Sequence, residues 1–211
     1  HNPEDRNRLC EKLRESLKDE IDIEIKTKAI SVLGELKYKN ALPEIVQSID
    51  DETQDVKIAA VYAIKRIGEH SAAKKLSEEL KKQDLKKQSN YSEALIDALG
   101  EFKAIDLKDF AIEEIKKDTV DKNIRQNLII FLGRIEATDA KDFLLGIAKD
   151  DSEDVIARAY AVNSLARMKI TDSSAEIDKI IKEIDSYPFK KRQRYYKLYV
   201  YSLAALARMG D

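Results

Sequence analysis

The side chains of this sequence that could do chemistry are few: one thiol at Cys10, imidazoles at His1 and His70, and the doubled aspartates Asp50-Asp51 and Asp150-Asp151. A cysteine nucleophile needs a base beside it. None is placed near Cys10 by spacing, and its position with Leu9 and Leu13 reads as a small buried side chain. One cysteine also excludes an intramolecular disulfide and a multi-thiolate metal site within the chain. His70 stands with Gly68 and Ser71 in what reads as an exposed turn, without the convergent ligands that a metal site needs. The doubled aspartates could act as an acid–base dyad or hold a divalent cation, but they fall between apolar segments, where aspartates cap helix starts and face water. No glycine-rich phosphate loop is present, and Gly34, Gly100 and Gly133 sit inside apolar segments where close packing accounts for them. These residues predict no catalytic site, no cofactor and no metal centre.

The elements that carry them are repeated. IKTKAISVLGEL (25–36), VKIAAVYAIKRI (56–67), YSEALIDALGEF (91–102), IRQNLIIFLGRI (124–135), ARAYAVNSLARM (157–168) and LYVYSLAALARM (198–209) start 31, 35, 33, 33 and 41 residues apart. Each places apolar or small residues at relative positions 0, 4, 5, 7, 8 and 11, a helical period with a wide apolar face. A second, narrower amphipathic segment follows each of the first five, at 41–49, 71–82, 106–117, 139–149 and 173–184. Ser71, Asp106, Thr138 or Asp139, and Ser173 with Glu176, read as the starts of the later ones; Asn90 with Glu93 reads as the start of the third first-type helix. A pair this small cannot bury its own apolar face, so pairs must stack.

The spacing and the pattern V-[KR]-x-x-A-x-x-x-L-G-x-I, matched by Val56, Lys57, Ala60, Ile64 and Ile67 and by Ile124, Arg125, Leu132, Gly133 and Ile135, resemble the HEAT repeat family in its short bacterial form. The resemblance covers about residues 21–209 and implies an all-α, right-handed α-α superhelix, a solenoid of about five stacked helix pairs with a single extra helix at each end. The expected organisation is an N-terminal capping helix at 1–20, then units at about 21–50, 51–83, 84–118, 119–151 and 152–187, and a half unit at 188–211. Some HEAT-like proteins are iron-dependent hydroxylases whose repeated His-Glu pairs bind the metal. Here the only such neighbours are Glu69-His70, in the opposite order, so the resemblance implies no such site.

Two patterns remain. Aligned on the repeat, Asp50, Lys81, Lys116, Lys149 and Lys182 form one row along the second helices, and Gln47, Glu78, Glu113, Gly146 and Lys179 stand three residues before them. Such a row either binds an acidic partner or complements helix dipoles and pairs with glutamates three residues back. The second pattern is YPFKKRQRYYKLYVYSL (187–203), which interleaves Tyr187, Tyr195, Tyr196, Tyr199 and Tyr201 with Lys190, Lys191, Arg192, Arg194 and Lys197. Basic residues among aromatics can hold phosphates and stack bases; tyrosines on an end helix also bridge core and solvent. Leu198, Leu203, Leu206 and Met209 are expected to dock this helix, leaving Lys191, Arg194 and Lys197 on one exposed face with Tyr195 and Tyr201.

Composition agrees with long solvated helices. Charged residues are 37% of the chain against about a quarter in ordinary domains, with only 6 Gly and 3 Pro among 211 residues. A net charge of −2 provides no global attraction for nucleic acid or anionic lipid, and no apolar run approaches the ~18 residues of a membrane span. The opening HNPED reads as a trimmed edge, so both a cytoplasmic location and export with a removed leader stay open. The sequence therefore predicts a non-catalytic scaffold or adaptor that binds another protein through the concave face. Gln47, Glu78, Lys81, Glu113, Lys116, Lys149 and Lys182 are its candidate contacts, with Lys191, Arg194, Tyr195, Lys197, Tyr199 and Tyr201 at the C-terminal end. Nucleic acid is the alternative partner, and a second copy or a further domain is a candidate for the C-terminal face.

Overall fold

The computed structural model describes residues 2–19 and 21–210; His1, Glu20 and Asp211 lie outside the described residues. Among the described residues every regular element is helical. The chain forms two compact units, one of residues 1–84 with 89–102 and the other of residues 85–88 with 103–211.

The first unit holds α1 (Pro3–Ser16), α2 (Ile23–Glu35), α3 (Leu42–Gln47), α4 (Gln54–Ile67), α5 (Ala73–Lys81) and α6 (Asn90–Glu101). The wide-faced segments form a first layer in which α2 packs on α4 and α4 on α6. The narrow-faced helices form a second layer, each covering the next first-layer helix: α3 on α4, and α5 on α6. The periodicity demanded this, because residues such as Ile30, Leu33, Val61 and Ile64 are completely buried, each worth about 1.5–3 kcal/mol on removal from water. The second unit repeats the scheme with α7 (Lys108–Ile115), α8 (Lys122–Arg134), α9 (Lys141–Lys149), α10 (Val155–Arg167), α11 (Ser174–Ser186), α12 (Phe189–Arg194) and α13 (Tyr196–Met209). There α8, α10 and α13 stack, while α7, α9 and α11 cover α8, α10 and α13.

Several first-layer helices start on true side-chain caps. Asp22 accepts from the Glu24 amide at 2.8 Å, Asp121 from Asn123 at 2.9 Å and Asp154 from Ala157 at 3.1 Å. On α6 the cap is Ser89, which accepts from Ser92; Asn90, the expected cap, is already the first helical residue. The second-layer starts also differ from expectation. Ser71, Asp106, Thr138, Asp139 and Ser173 lie in single 3-10 turns ahead of α5, α7, α9 and α11, and none makes a capping hydrogen bond. The tight turn bonds its own amide instead, as in Ala140 N–H to Ala137 O at 2.9 Å, which leaves the side chain free for another role.

That role is to connect repeats. Asp139 accepts an ion-paired hydrogen bond from Lys108, and Asp172 accepts the equivalent bond from Lys141. The shared Thr-Asp of 138–139 and 171–172 thus marks the receiving end of a charge ladder between successive units, in addition to opening a turn.

Candidate functional site

The reactive candidates are all engaged structurally. Cys10 is buried at the floor of a cleft of about 370 Å³ that Arg6, Asn7 and Tyr38 also line. The Tyr38 hydroxyl donates to the Glu11 carboxylate, which holds the phenol above its ordinary pKa and the carboxyl below its own. That proton is committed, and Tyr38 is no base for the thiol. His70 is exposed in its turn, its ring 4.9 Å from that of Phe102.

The doubled aspartates do not cap helices as expected, because they stand several residues ahead of the true N-caps Thr53 and Asp154. Asp50 accepts from Lys75 at 2.5 Å, and Asp51 from Lys26 at 2.6 Å and the Thr53 amide at 2.8 Å. Burial pushes the Asp51 carboxyl up, but Lys26 and Thr53 outweigh it and hold the group below the usual carboxylate range. Asp150 accepts from the Ser152 amide and hydroxyl at 2.9 and 2.6 Å, and Asp151 from Arg158 at 2.7 Å. Among the described residues no group of three or more His, Cys, Asp or Glu is placed to hold a metal ion.

The row of second-layer residues is exposed throughout: Gln47, Glu78 and Lys81 in the first unit, and Glu113, Lys116, Lys149 and Lys182 in the second. Gln47 borders a polar depression of about 400 Å³ with Lys26, Asp50 and Asp51. The expected pairing with glutamates three residues back falls one step further along the helix. Glu79 pairs with Lys82 at 2.6 Å and Glu114 with Lys117 at 2.5 Å. Lys149 instead reaches Glu176 on the next second-layer helix at 2.8 Å, and Lys179 shares that carboxylate at 2.6 Å. Together they pull Glu176 down to about 2. Lys182 pairs with Asp178, and Lys116 lies 5.6 Å from the centre of the Phe143 ring.

The C-terminal stretch is where the structure departs most from expectation. The single helix breaks at Tyr195, whose ring turns back to lie 5.1 Å from that of Tyr187. Lys191 stands 3.4 Å above the centre of the Tyr187 ring, and Lys197 stands 4.5 Å above that of Tyr160 on α10, donating to its hydroxyl at 3.0 Å. Lys191, Arg194 and Lys197 therefore do not share one face: the break separates the first two from the third, and aromatic rings hold two of the three. Tyr195, Tyr199 and Tyr201 are half-buried. Leu203 does not dock, because α13 turns Leu198, Ser202 and Ala205 inward and leaves Leu203 in water.

Sequence reading missed the two guanidinium ties. Arg125 donates from Nε to the Ile115 carbonyl at 2.9 Å and bonds both Glu153 oxygens, and Arg158 donates to the Ala148 carbonyl at 2.9 Å. The signal was there in the basic residue that follows the first apolar position in four of the six repeated segments, as Lys26, Lys57, Arg125 and Arg158.

With this geometry in view, comparisons with known proteins are decisive about one point. The model for HEAT repeats matches residues 10–90. Over that stretch the chain is similar to HEAT repeats. The same stacking of paired helices recurs in the second unit, and the fold is an all-α solenoid. A chain from the complex of CpcE and CpcF of phycocyanin lyase from Nostoc sp. PCC7120 is similar in fold, with a TM-score of 0.63 at 17% identity over 96% of this chain and 77% of that one. Human deoxyhypusine hydroxylase in complex with glycerol aligns over 99% of this chain and 91% of its own, at 12% identity and a TM-score of only 0.37. No curated protein matches by sequence. No helix of the described residues is long and apolar enough to cross a membrane.

Proposed function

We propose that this chain is a non-catalytic scaffold that binds another protein through the face presented by its second-layer helices. One observation carries the reading. At the row positions Glu78, Lys81 and Glu113 make no ion pair among the described residues, whereas their immediate neighbours Glu79, Lys82 and Glu114 are all paired. Charges repeated at one register and left to solvent are the kind that select and steer a complementary surface. Similarity to HEAT repeats over residues 10–90 is consistent with this role, and so is the likeness in fold to a chain from a complex of two proteins, CpcE and CpcF. That complex belongs to a phycocyanin lyase, whereas among the described residues no nucleophile–base pair accompanies Cys10 or His70.

The test is charge reversal along the row. Glu78→Lys, Lys81→Glu and Glu113→Lys should together abolish cross-linking to a partner captured by the wild-type chain while helical content is kept. Undiminished capture would show that another face does the binding. Nucleic-acid binding at 190–208 ranks second, since Lys191 and Lys197 sit over tyrosine rings and Arg192 donates to the Asp185 carbonyl at 2.6 Å. Retention on heparin at moderate salt that is lost in Lys190→Glu with Arg194→Glu would reverse the ranking.

A further inference from the structure

The first-layer helices share one packing register. Counted from the first residue of each repeated segment, the residue five places along faces the following first-layer helix. Ile30 and Val61 in the first unit, and Ile129 and Val162 in the second, are completely buried there. Leu203 holds the same position on α13 and is 45% exposed, with Tyr196 at 66% and Val200 at 41% on the same helical face. Nine places along, Gly34 and Gly133 admit the backbones of Ala63 and Ser164 on the next helix; α13 has the small Ala207 there, and it too is exposed. The outer face of α13 is therefore built like the faces that receive a further helix.

The other end of the chain shows the complementary deficit. The first position of each segment packs beneath the preceding second-layer helix, which buries Val56, Ile124, Ala157 and Leu198. Ile25, at that position in α2, is 60% exposed, and Ile23 on the same helix and Leu9 on α1 are also more than half exposed. Of the nine large hydrophobic side chains exposed among the described residues, seven belong to these two ends (Leu9, Ile23, Ile25, Phe189, Tyr196, Val200 and Leu203), so the apolar exposure is localised and calls for an occupant.

The helix types say which occupant. α1 behaves as a second-layer helix: it packs on α2 as α3 packs on α4, and its Arg14 and Lys18 reach Glu44 of α3, both at 3.6 Å, as Lys149 of α9 reaches Glu176 of α11. Its first-layer partner is not among the described residues. α13 is a first-layer helix with no second-layer helix after it among the described residues. Together α13 and α1 supply the two halves of one pair. Charge follows the same logic. Residues 188–210 contain Lys190, Lys191, Arg192, Arg194, Lys197 and Arg208 and no acidic residue, whereas 19–24 reads Asp-Glu-Ile-Asp-Ile-Glu with no basic one.

We infer that the chain self-associates head to tail, with α13 of one copy docking against α1 and α2 of the next to complete a helix pair. The apolar set Tyr196, Val200 and Leu203 meets Leu9, Ile23 and Ile25, and the exposed Lys190 and Arg194, which no ring or carbonyl holds among the described residues, meet Asp19, Asp22 and Glu24. Such a contact is heterologous: each added copy leaves one free end of each kind, so growth continues or closes into a ring.

Light scattering coupled to gel filtration, run over a concentration series, tests this. The wild-type mass should rise past a dimer with concentration and fall with added salt. Leu203→Asp and Ile25→Arg, both at exposed sites, should each be monomeric with unchanged circular dichroism and melting. An equimolar mixture of the two retains one intact tail and one intact head, so it should form a dimer and nothing larger. A wild-type chain that stays monomeric, a Leu203→Asp chain that still associates, or a mixture in which the dimer is not restored would each overturn the inference; the last would indicate a symmetric contact or none between these ends. A variant in which the C-terminal end alone is disabled by Arg194→Glu on α12 with Val200→Glu on α13 gives the same reading should Leu203→Asp fold poorly.

Discussion

Arg158 places Nε 2.9 Å from the carbonyl oxygen of Ala148 in the last turn of α9, and its side chain is 98% removed from water. Arg125 does the same to Ile115 in the last turn of α7, also at 2.9 Å. The two arginines and the two carbonyls are each 33 residues apart, so this is a repeated device: the first turn of one first-layer helix caps the C-terminus of the second-layer helix before it, where carbonyls lack partners and the helix dipole is negative. Replacing Arg158 by Ala leaves a buried carbonyl unsatisfied and opens a cavity. Stability should fall by about 2–4 kcal/mol. Arg158→Lys restores the charge without the planar fork and should recover only part of the loss. Denaturant titration of the three chains measures both.

The glycines make a sharper pair of opposite predictions. A Cβ on Gly133 would lie 2.7 Å from the Ser164 Cα, and one on Gly34 would lie 2.6 Å from the Ala63 Cα. Because the obstacles are backbone, Gly34→Ala and Gly133→Ala must push α2 from α4 or α8 from α10, at a cost of about 1–3 kcal/mol. Gly146 in α9 has nothing within 4 Å of its Cβ position, so Gly146→Ala should gain up to about 1 kcal/mol from helix propensity. Thermal melts in which all three variants shift the same way would contradict the contact.

Much of this was legible before any coordinates, and the reasons are specific. Ile30, Val61, Ile129 and Val162 were predictable as core because a wide apolar stripe has to be covered on two sides. The turn chemistry was not. Gly68 and Gly210 advertise the left-handed residue after α4 and α13; at Lys37, Lys103, Glu136 and Lys169 the same conformation, with φ between 52° and 57°, is carried by ordinary side chains and leaves no trace in composition. At the candidate sites the sequence showed the exposed row but could not tell that Glu79 and Glu114, rather than Glu78 and Glu113, would hold the lysines, since rotation by one residue about a helix is decided by packing. The break at Tyr195 was hidden too, because the ring contact with Tyr187 that accompanies it lies outside the helical period.

Acid should loosen the charge ladder. Lys149 and Lys179 hold Glu176 down to about 2, Lys108 holds Asp139 below its ordinary value, and Lys103 does so for Glu136. A carboxyl whose folded pKa is depressed contributes stability that is complete above its unfolded value of about 4 and is lost as pH falls through the folded value. Melting temperature should therefore decline between about pH 4.5 and pH 2. Glu176→Gln should flatten that decline. Because these groups are exposed, salt should weaken the effect, and a decline that is independent of ionic strength would assign it to other groups.

The C-terminal tyrosines should divide by role. Tyr201 packs edge-on 6.0 Å from Tyr160, and Lys197 lies over both rings; the Tyr195 ring lies tilted 5.1 Å from that of Tyr187, and Asp185 holds the Tyr199 phenol above its ordinary pKa. Removing Tyr195, Tyr199 and Tyr201 together as serines should cost about 3–5 kcal/mol, since each loses half-buried ring area together with an aromatic, cation–π or hydrogen-bond contact. Tyr196 is 66% exposed and touches none of these clusters, so Tyr196→Ser should leave melting within about 0.5 kcal/mol of wild type. Its effect should be on association instead, because it stands on the outer face of α13 with Val200 and Leu203. If Tyr196→Ser lowered the melting temperature of the isolated chain as much as the triple variant, its ring would belong to the core, and the outer face of α13 would have to be redrawn without it.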